Sequence, residues 1–401
     1  TIGTGSVTSM SKAGSAYGMQ LIWVLFLSAF FAWILMEAYG RYAIATGSTA
    51  MYGYRKHIKY GKYIAIIIIV GVTFGQWNAL AGILGLSANA FYEIIAMYNP
   101  GISSKEYGVT LVIGIVLIGI MFLFLLNGKY SFFEKVLVVF VSIMGAAFLI
   151  SALIVPPPLE EILKGFIPSI PKNERGASDY MLVAAFVGTT MAAPTFVVRP
   201  LFLKGKGWTR DNAKEQSRDA LSSAILMFLI SGAVMAASAG AIYLTGGEPI
   251  KVVLDMVQAL EPVAGRFAVL IFMFGAVSAG LSSIFPILMV LPLLIADYKS
   301  GSLDTKSRQF RILTGVAAVV GLTVLIIGAN PVEAQIITQV FSVFILPAVI
   351  ATILYVVNRN NIMGDLKAGI YLNLGLWLAL IFSLVISLTG IMGIVDLVNQ
   401  F

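Results

Sequence analysis

Gly3-Thr4-Gly5-Ser6-Val7-Thr8-Ser9 and Gly188-Thr189-Thr190-Met191-Ala192-Ala193-Pro194-Thr195 decide the fold. Each puts small hydroxyl residues and helix breakers into an otherwise apolar segment. Irregular backbone at membrane depth leaves N–H and C=O groups without intrahelical partners, so it persists only where it lines a cavity or binds something. Paired interruptions at matching points of two halves point to a carrier's substrate site.

The rest of the chain supports a membrane reading. Its 401 residues are 59% hydrophobic and 11% charged, with a mean hydropathy of +0.94. A soluble protein carries about 25% charged residues. So much apolar surface needs a lipid bilayer around it, and the chain reads as an all-α polytopic membrane protein. It has no cysteine, which excludes a disulfide framework or a thiolate metal site. The single histidine, His57, follows Arg55 and Lys56 and reads as a solvated loop residue. The net charge of +7 does not indicate nucleic acid, because the basic residues lie between apolar spans and form no stripe with aromatics. No pattern suggests catalysis, a bound cofactor or an obligate protein partner.

A membrane helix needs about 20 mostly apolar residues. Windows of that size predict a half-helix over 6–17, then spans over 20–46, 62–87, 108–127, 132–155 and 179–203. The last is interrupted at 190–195. Further spans follow over 217–245, 265–296, 311–329, 331–357 and 367–395. Taken in alternate connections, Lys and Arg number 17 on one side and 6 on the other, which makes the richer side cytoplasmic. Thr1 already lies inside the first break, so an upstream half-helix with a cytoplasmic N-terminus is expected.

The Pro-rich segment 156–178 divides the chain into 1–155, with helices 1–5, and 179–357, with helices 6–10; helix 11 falls in 358–401. Five is an odd number, so the second set enters with opposite topology. The first helix of each set carries the break, as in inverted-repeat transporters. A channel would more often show pore loops or symmetric subunits.

Several stretches resemble the NRAMP family of divalent-metal transporters. Ala13-Gly14-Ser15-Ala16-Tyr17-Gly18-Met19-Gln20-Leu21-Ile22-Trp23 is similar to the family's segment after its first break. Gly280-Leu281-Ser282-Ser283 resembles its helix 8 motif, and Thr338-Gln339-Val340 with Leu346-Pro347 resembles helix 10. The resemblance implies a LeuT-type fold: a 5+5 inverted repeat with helices 1 and 6 broken, plus an eleventh helix. It also implies that substrate binds at the breaks. The family's metal-binding Asp-Pro-Gly-Asn falls on Gly3, Thr4, Gly5 and Ser6. Its Met-Pro-His-Asn falls on Ala192, Ala193, Pro194 and Thr195, with Met191 one place away and expected to face elsewhere. A second family histidine falls on Arg199, a helix 10 glutamine on Ile345, and the acidic proton route of helix 3 on Phe74-Gly75-Gln76-Trp77-Asn78. The scaffold is kept while the metal and proton ligands are replaced.

A dehydrated divalent cation needs carboxylate, imidazole or sulfur ligands. The breaks offer hydroxyls instead: Thr4, Ser6, Thr8, Ser9, Thr189, Thr190 and Thr195. Half-helices starting near Ser6 and Pro194 would aim positive ends and free N–H groups into the gap. The bland alternative is that these small residues only let helices pack closely.

The expectation is a secondary transporter of a small inorganic anion, with bicarbonate as the concrete example. The alternative is a carrier of a largely hydrated divalent metal cation, Mg²⁺ or Mn²⁺. The substrate residues are Gly3, Thr4, Gly5, Ser6, Thr189, Thr190, Ala192, Ala193, Pro194 and Thr195. The resemblance makes Ser282 and Ser283, with Ser278 a turn earlier, a candidate Na⁺ site for coupling; the alternative is packing beside Gly280. Lys12 and Arg199 either draw an anion into the vestibules or snorkel. Gln76 and Asn78 are pathway residues or interhelical glue, and Glu37 pairs with Arg41 four residues on. The expected location is a bacterial inner membrane.

Overall fold

The computed structural model describes residues 3–127, 130–172, 179–299 and 305–399. Helix 1 is α1 (Thr4–Tyr17), helix 2 is α2 (Ile22–Thr46), and a short α3 (Ala50–His57) leads to helix 3, α4 (Gly61–Tyr98). Helices 4 and 5 are α5 (Glu106–Asn127) and α6 (Tyr130–Ile154), and α7 (Leu159–Gly165) follows in the connection. Helix 6 is split into α8 (Tyr180–Thr190) and α9 (Ala193–Gly205). Helix 7 is α10 (Ala213–Ser238), extended by a π turn over Ala239–Tyr243. A four-residue α11 (Glu261–Ala264) precedes helix 8, α12 (Ala268–Lys299). Helix 9 is α13 (Arg308–Gly321) with α14 (Thr323–Ile327), and helix 10 is α15 (Pro331–Val340) with α16 (Leu346–Val357). A short α17 (Asn360–Met363) leads to helix 11, α18 (Ile370–Val398).

Among the described residues, 9 helices are long and apolar enough to cross a membrane. The remaining two expected spans are helix 1, of which α1 is 14 residues, and helix 10, which is broken. Lipid-facing positions are apolar and exposed, among them Ile67, Val70, Val139, Ile381 and Leu388. The faces between helices are filled by small residues and closely packed aliphatic side chains.

The packing carries the two-fold relation between the halves. Helix 2 packs on helix 7, helix 3 on helix 8 and helix 1 on helix 6, each pairing an element with its repeat counterpart. Further contacts come in exchanged pairs. Helix 1 packs on helix 7 as helix 6 packs on helix 2, and helix 3 packs on helix 10 as helix 8 packs on helix 5. That exchange is what a 5+5 inverted repeat requires. Helix 11 lies outside it, against α8, α16 and α2.

Three local expectations need correction. Helix α1 begins at Thr4, with Gly3 extended at φ −99°, ψ 158°, so Thr4, Gly5 and Ser6 form its first turn and are not unwound. The helix 6 break is shorter than 190–195: only Met191 and Ala192 are non-helical, and Ala193, Pro194 and Thr195 open α9. Pro194 fits there because a first-turn residue needs no N–H partner. Helix 10, expected to run unbroken over 331–357, is interrupted between Val340 and Leu346. The tight i→i−3 bonds Ser342 N to Gln339 O and Leu346 N to Val343 O carry the chain through, and Pro347 lies in the first turn of α16.

Candidate functional site

The start of α1 and the break in helix 6 meet at the centre of the bundle. Ser6 Oγ lies 3.2 Å from Thr189 Oγ1, joining the two stretches that open the two repeats. The third wall is α15. A Cβ on Gly5 would fall 2.6 Å from Gln339 Nε2 and 2.8 Å from Thr189 Oγ1. A Cβ on Gly188 would overlap the Gln339 carbonyl oxygen. Both positions are therefore glycine so that α1 and α8 can close on Gln339. The fourth wall is α12, where Ser283 Oγ would lie 3.7 Å from a Cβ on Gly3.

The structure thus brings Gly3, Gly5, Ser6, Thr189 and Ser283 into one neighbourhood and adds Gln339. Thr4 is buried in the first turn of α1, and its hydroxyl has no partner among the described residues. The hydroxyls of Thr8, Ser9 and Ser342 are likewise buried and unpartnered. Thr190 bonds to the Phe186 carbonyl of its own helix at 2.7 Å. Thr195 is exposed, in the first turn of α9. Ala192 and Gly3 occupy the N-cap positions of α9 and α1, and neither end has a side-chain cap. The end at Gly3 lies beside Ser283 and so brings a positive helix end to the cluster.

Met191 lies inside the two-residue break, so the facing rule of a continuous helix, by which it was expected to point elsewhere, does not govern it. Ser282 and Ser283 both donate to the Ala279 carbonyl, at 3.0 and 2.8 Å. Their protons are used within α12, while their oxygen lone pairs stay available to a cation. Among the described residues, no group of three His, Cys, Asp or Glu side chains could hold a metal ion. The polar atoms at the breaks are hydroxyls, a carboxamide and backbone groups.

The charged candidates are tied up. Lys12 donates to the Ile250 carbonyl, and Ser15 Oγ accepts from Ile250 N at 3.1 Å, fastening α1 to the loop before α11. Arg199 pairs with Asp219 at 2.8 Å and with Gln216 Oε1 at 3.0 Å. Gln216 Nε2 donates to Glu37 at 2.9 Å, and Glu37 pairs with Arg41 at 2.6 Å. Arg199 is neither snorkelling nor a free vestibule charge; it belongs to a network across helices 2, 6 and 7. Asn78 bonds to Phe74 O of its own helix at 2.8 Å and is not interhelical glue. His57 is exposed.

Gln339 and Ser342 were missed as site residues, yet a signal for them exists. Gln335, Thr338, Gln339 and Ser342 stand at i, i+3, i+4 and i+7, one polar face on an otherwise apolar stretch, and all four are buried. Such a face inside a membrane marks a functional surface by default.

The chain's relatives are consistent with this architecture. The family model described as natural resistance-associated macrophage protein-like, Nramp, matches residues 1–393. The divalent metal cation transporter MntH of Erwinia tasmaniensis is 23% identical over 97% of this chain and 90% of its own length. That of Klebsiella pneumoniae strain 342 is also 23% identical, over 97% and 90%. Among solved structures, the Eremococcus coleocola manganese transporter in complex with an aromatic bis-isothiourea substituted compound superposes with a TM-score of 0.74. The overlap covers 98% of this chain and 83% of that one at 15% identity. MhsT in complex with L-phenylalanine gives a TM-score of 0.60 at 12% identity, covering 96% and 98%.

Proposed function

The chain belongs to the Nramp family, and on that premise we propose that it is a secondary transporter of a divalent metal cation, Mg²⁺ or Mn²⁺, carried with most of its water. The observation that carries this reading is the whole-length similarity to proteins named as divalent metal cation transporters. The local chemistry specifies the manner. Hydroxyl and carboxamide oxygens of Ser6, Thr189 and Gln339 are acceptors for the protons of metal-bound water. A carboxylate-free cluster offsets full dehydration of a divalent ion poorly, and Mg²⁺ in particular gives up its water reluctantly. Gly3, Thr4, Gly5, Thr190 and Ala192 to Thr195 contribute the backbone and hydroxyl lining from the two broken helices. Alternating access then moves the repeats around this point.

A second reading has its own observation. The helix N-termini at Gly3 and Ala192 carry no side-chain cap, and the cluster beside Gly3 has no carboxylate. That favours a small inorganic anion such as bicarbonate, with Na⁺ held by Ser282 and Ser283 as coupling ion.

Uptake into proteoliposomes separates the two readings. Mn²⁺, Mg²⁺ and labelled bicarbonate are compared with internal pH held fixed, with and without a Na⁺ gradient. Saturable Mn²⁺ or Mg²⁺ uptake that falls on Gln339→Leu supports the first reading. Bicarbonate uptake driven by Na⁺, with no metal flux, replaces it with the second. The expected membrane is the bacterial plasma membrane.

A further inference from the structure

A polar cavity of about 340 Å³ lies on the face poorer in Lys and Arg, among helices 3, 4 and 10. Its walls carry Asn89 and Glu93 from α4, Glu106 from the first turn of α5, and the turn Gly328–Pro331 that opens α15. Glu93 and Glu106 line the same cavity, and among the described residues neither forms an ion pair. Two ionised carboxylates on one cavity repel, and a cation between them relieves that repulsion without protonating either.

The independent observation is Asn89. It is only 7% exposed, lines the same cavity, and has no hydrogen-bond partner among the described residues. A buried carboxamide is normally satisfied, and one left open toward a cavity needs a ligand or water there. The surrounding frame is fixed. Asn330 Nδ2 donates to Lys251 O at 3.0 Å while its Oδ1 caps α15 through Val332 N at 2.9 Å. Tyr107, next to Glu106, donates to Ile326 O at 2.9 Å.

We propose that Asn89, Glu93 and Glu106 form a binding site for a hard divalent cation on the outer rim of the transporter. Two carboxylates offset a +2 charge. A carboxamide oxygen, the turn carbonyls and water supply the further oxygen ligands that Ca²⁺ or Mg²⁺ takes. The site is separate from the central cluster: Pro331 and Gln339 stand at opposite ends of α15, about 12 Å apart at the helical rise. It does not depend on which ion the central cluster carries.

Calorimetric titration of the purified full-length chain with Ca²⁺ tests the assignment. The expected result is saturable binding near one ion per chain. Glu93→Gln and Glu106→Gln should each weaken it at least tenfold, and Asn89→Leu about threefold. Gln339→Leu should leave it unchanged. Absence of saturable binding to the wild type overturns the proposal, as does binding indifferent to both glutamine variants or abolished by Gln339→Leu. Each variant's thermal midpoint is measured without Ca²⁺. If Glu93→Gln does not fold, the exposed Glu106→Gln decides.

Discussion

Two buried polar regions sit in this bundle, and they are built in opposite ways. The network Arg41–Glu37–Gln216–Arg199–Asp219 is charged and bonded side chain to side chain, leaving Arg199 Nε over. The cluster at the breaks is uncharged. Among the described residues Ser6 and Thr189 touch there, while the hydroxyls of Thr4, Thr8 and Ser9 on the same α1, and of Ser342, have no partner. Polar groups removed from water without partners cost free energy, whereas a bonded network is self-sufficient. The first region fastens helices 2, 6 and 7 together. The second leaves its hydroxyls available to a ligand or to water.

The comparison breaks most visibly if the latch proves dispensable. Glu37→Ala strands the Gln216 amide and the nearby guanidinium groups. Removing one partner of a buried charged network costs about 3–5 kcal/mol, so the thermal midpoint should fall steeply. An unchanged midpoint would mean that the network does not hold the helices. The next largest effect belongs to the open cluster and should appear in transport and not in stability. Gln339→Leu should reduce uptake at least tenfold with little change in melting. A large destabilisation with normal uptake per folded molecule would reverse the two roles.

Smaller changes sharpen the contrast. Ser6→Ala or Thr189→Val removes one hydroxyl from a pair, a net loss of about 0.5–1.5 kcal/mol. Initial uptake rates should fall by up to about tenfold, and the double variant should cost less than the two singles combined, because the groups touch. The smallest effect is expected at His57. Burial, then the Lys56 charge, lower its pKa. The fold therefore favours the neutral ring, and that contribution is present above the unfolded value and lost as pH falls through the folded one. His57→Gln should slightly reduce the drop in thermal midpoint between about pH 7.5 and about pH 5, with uptake unaffected.

The spans were legible because lipid imposes long apolar runs, and the split of helix 6 was legible because Gly188 and Pro194 bracket it. Helix 10 hid its break because Phe341-Ser342-Val343-Phe344-Ile345 contains neither Gly nor Pro and is almost wholly apolar. Only Pro347, placed in the first turn of α16, hinted at a restart. The role of Arg199 is not legible in the sequence because its partners lie on helix 7, 17 and 20 residues on, a distance that a single-helix rule cannot reach. Beyond the polar face it shares, Gln339 carries no chemical signal in its own stretch of sequence. Its meaning depends on Gly5 and Gly188, whose missing side chains leave room for it.

The exchanged packing of the two repeats is not complete, and the shortfall has a direction. Helix 10 leans on both broken helices, with α15 packed closely against α1 and α8. Among the described residues its counterpart, helix 5, makes no comparable contact with them; α6 rests instead on α10 and α12. The two halves of one chain thus hold their fifth helices in different postures around the same point. A second state can be drawn by letting each half take the posture of the other. Helix 10 would then swing away from the midpoint while α6 swings in, and the route to the centre would change sides.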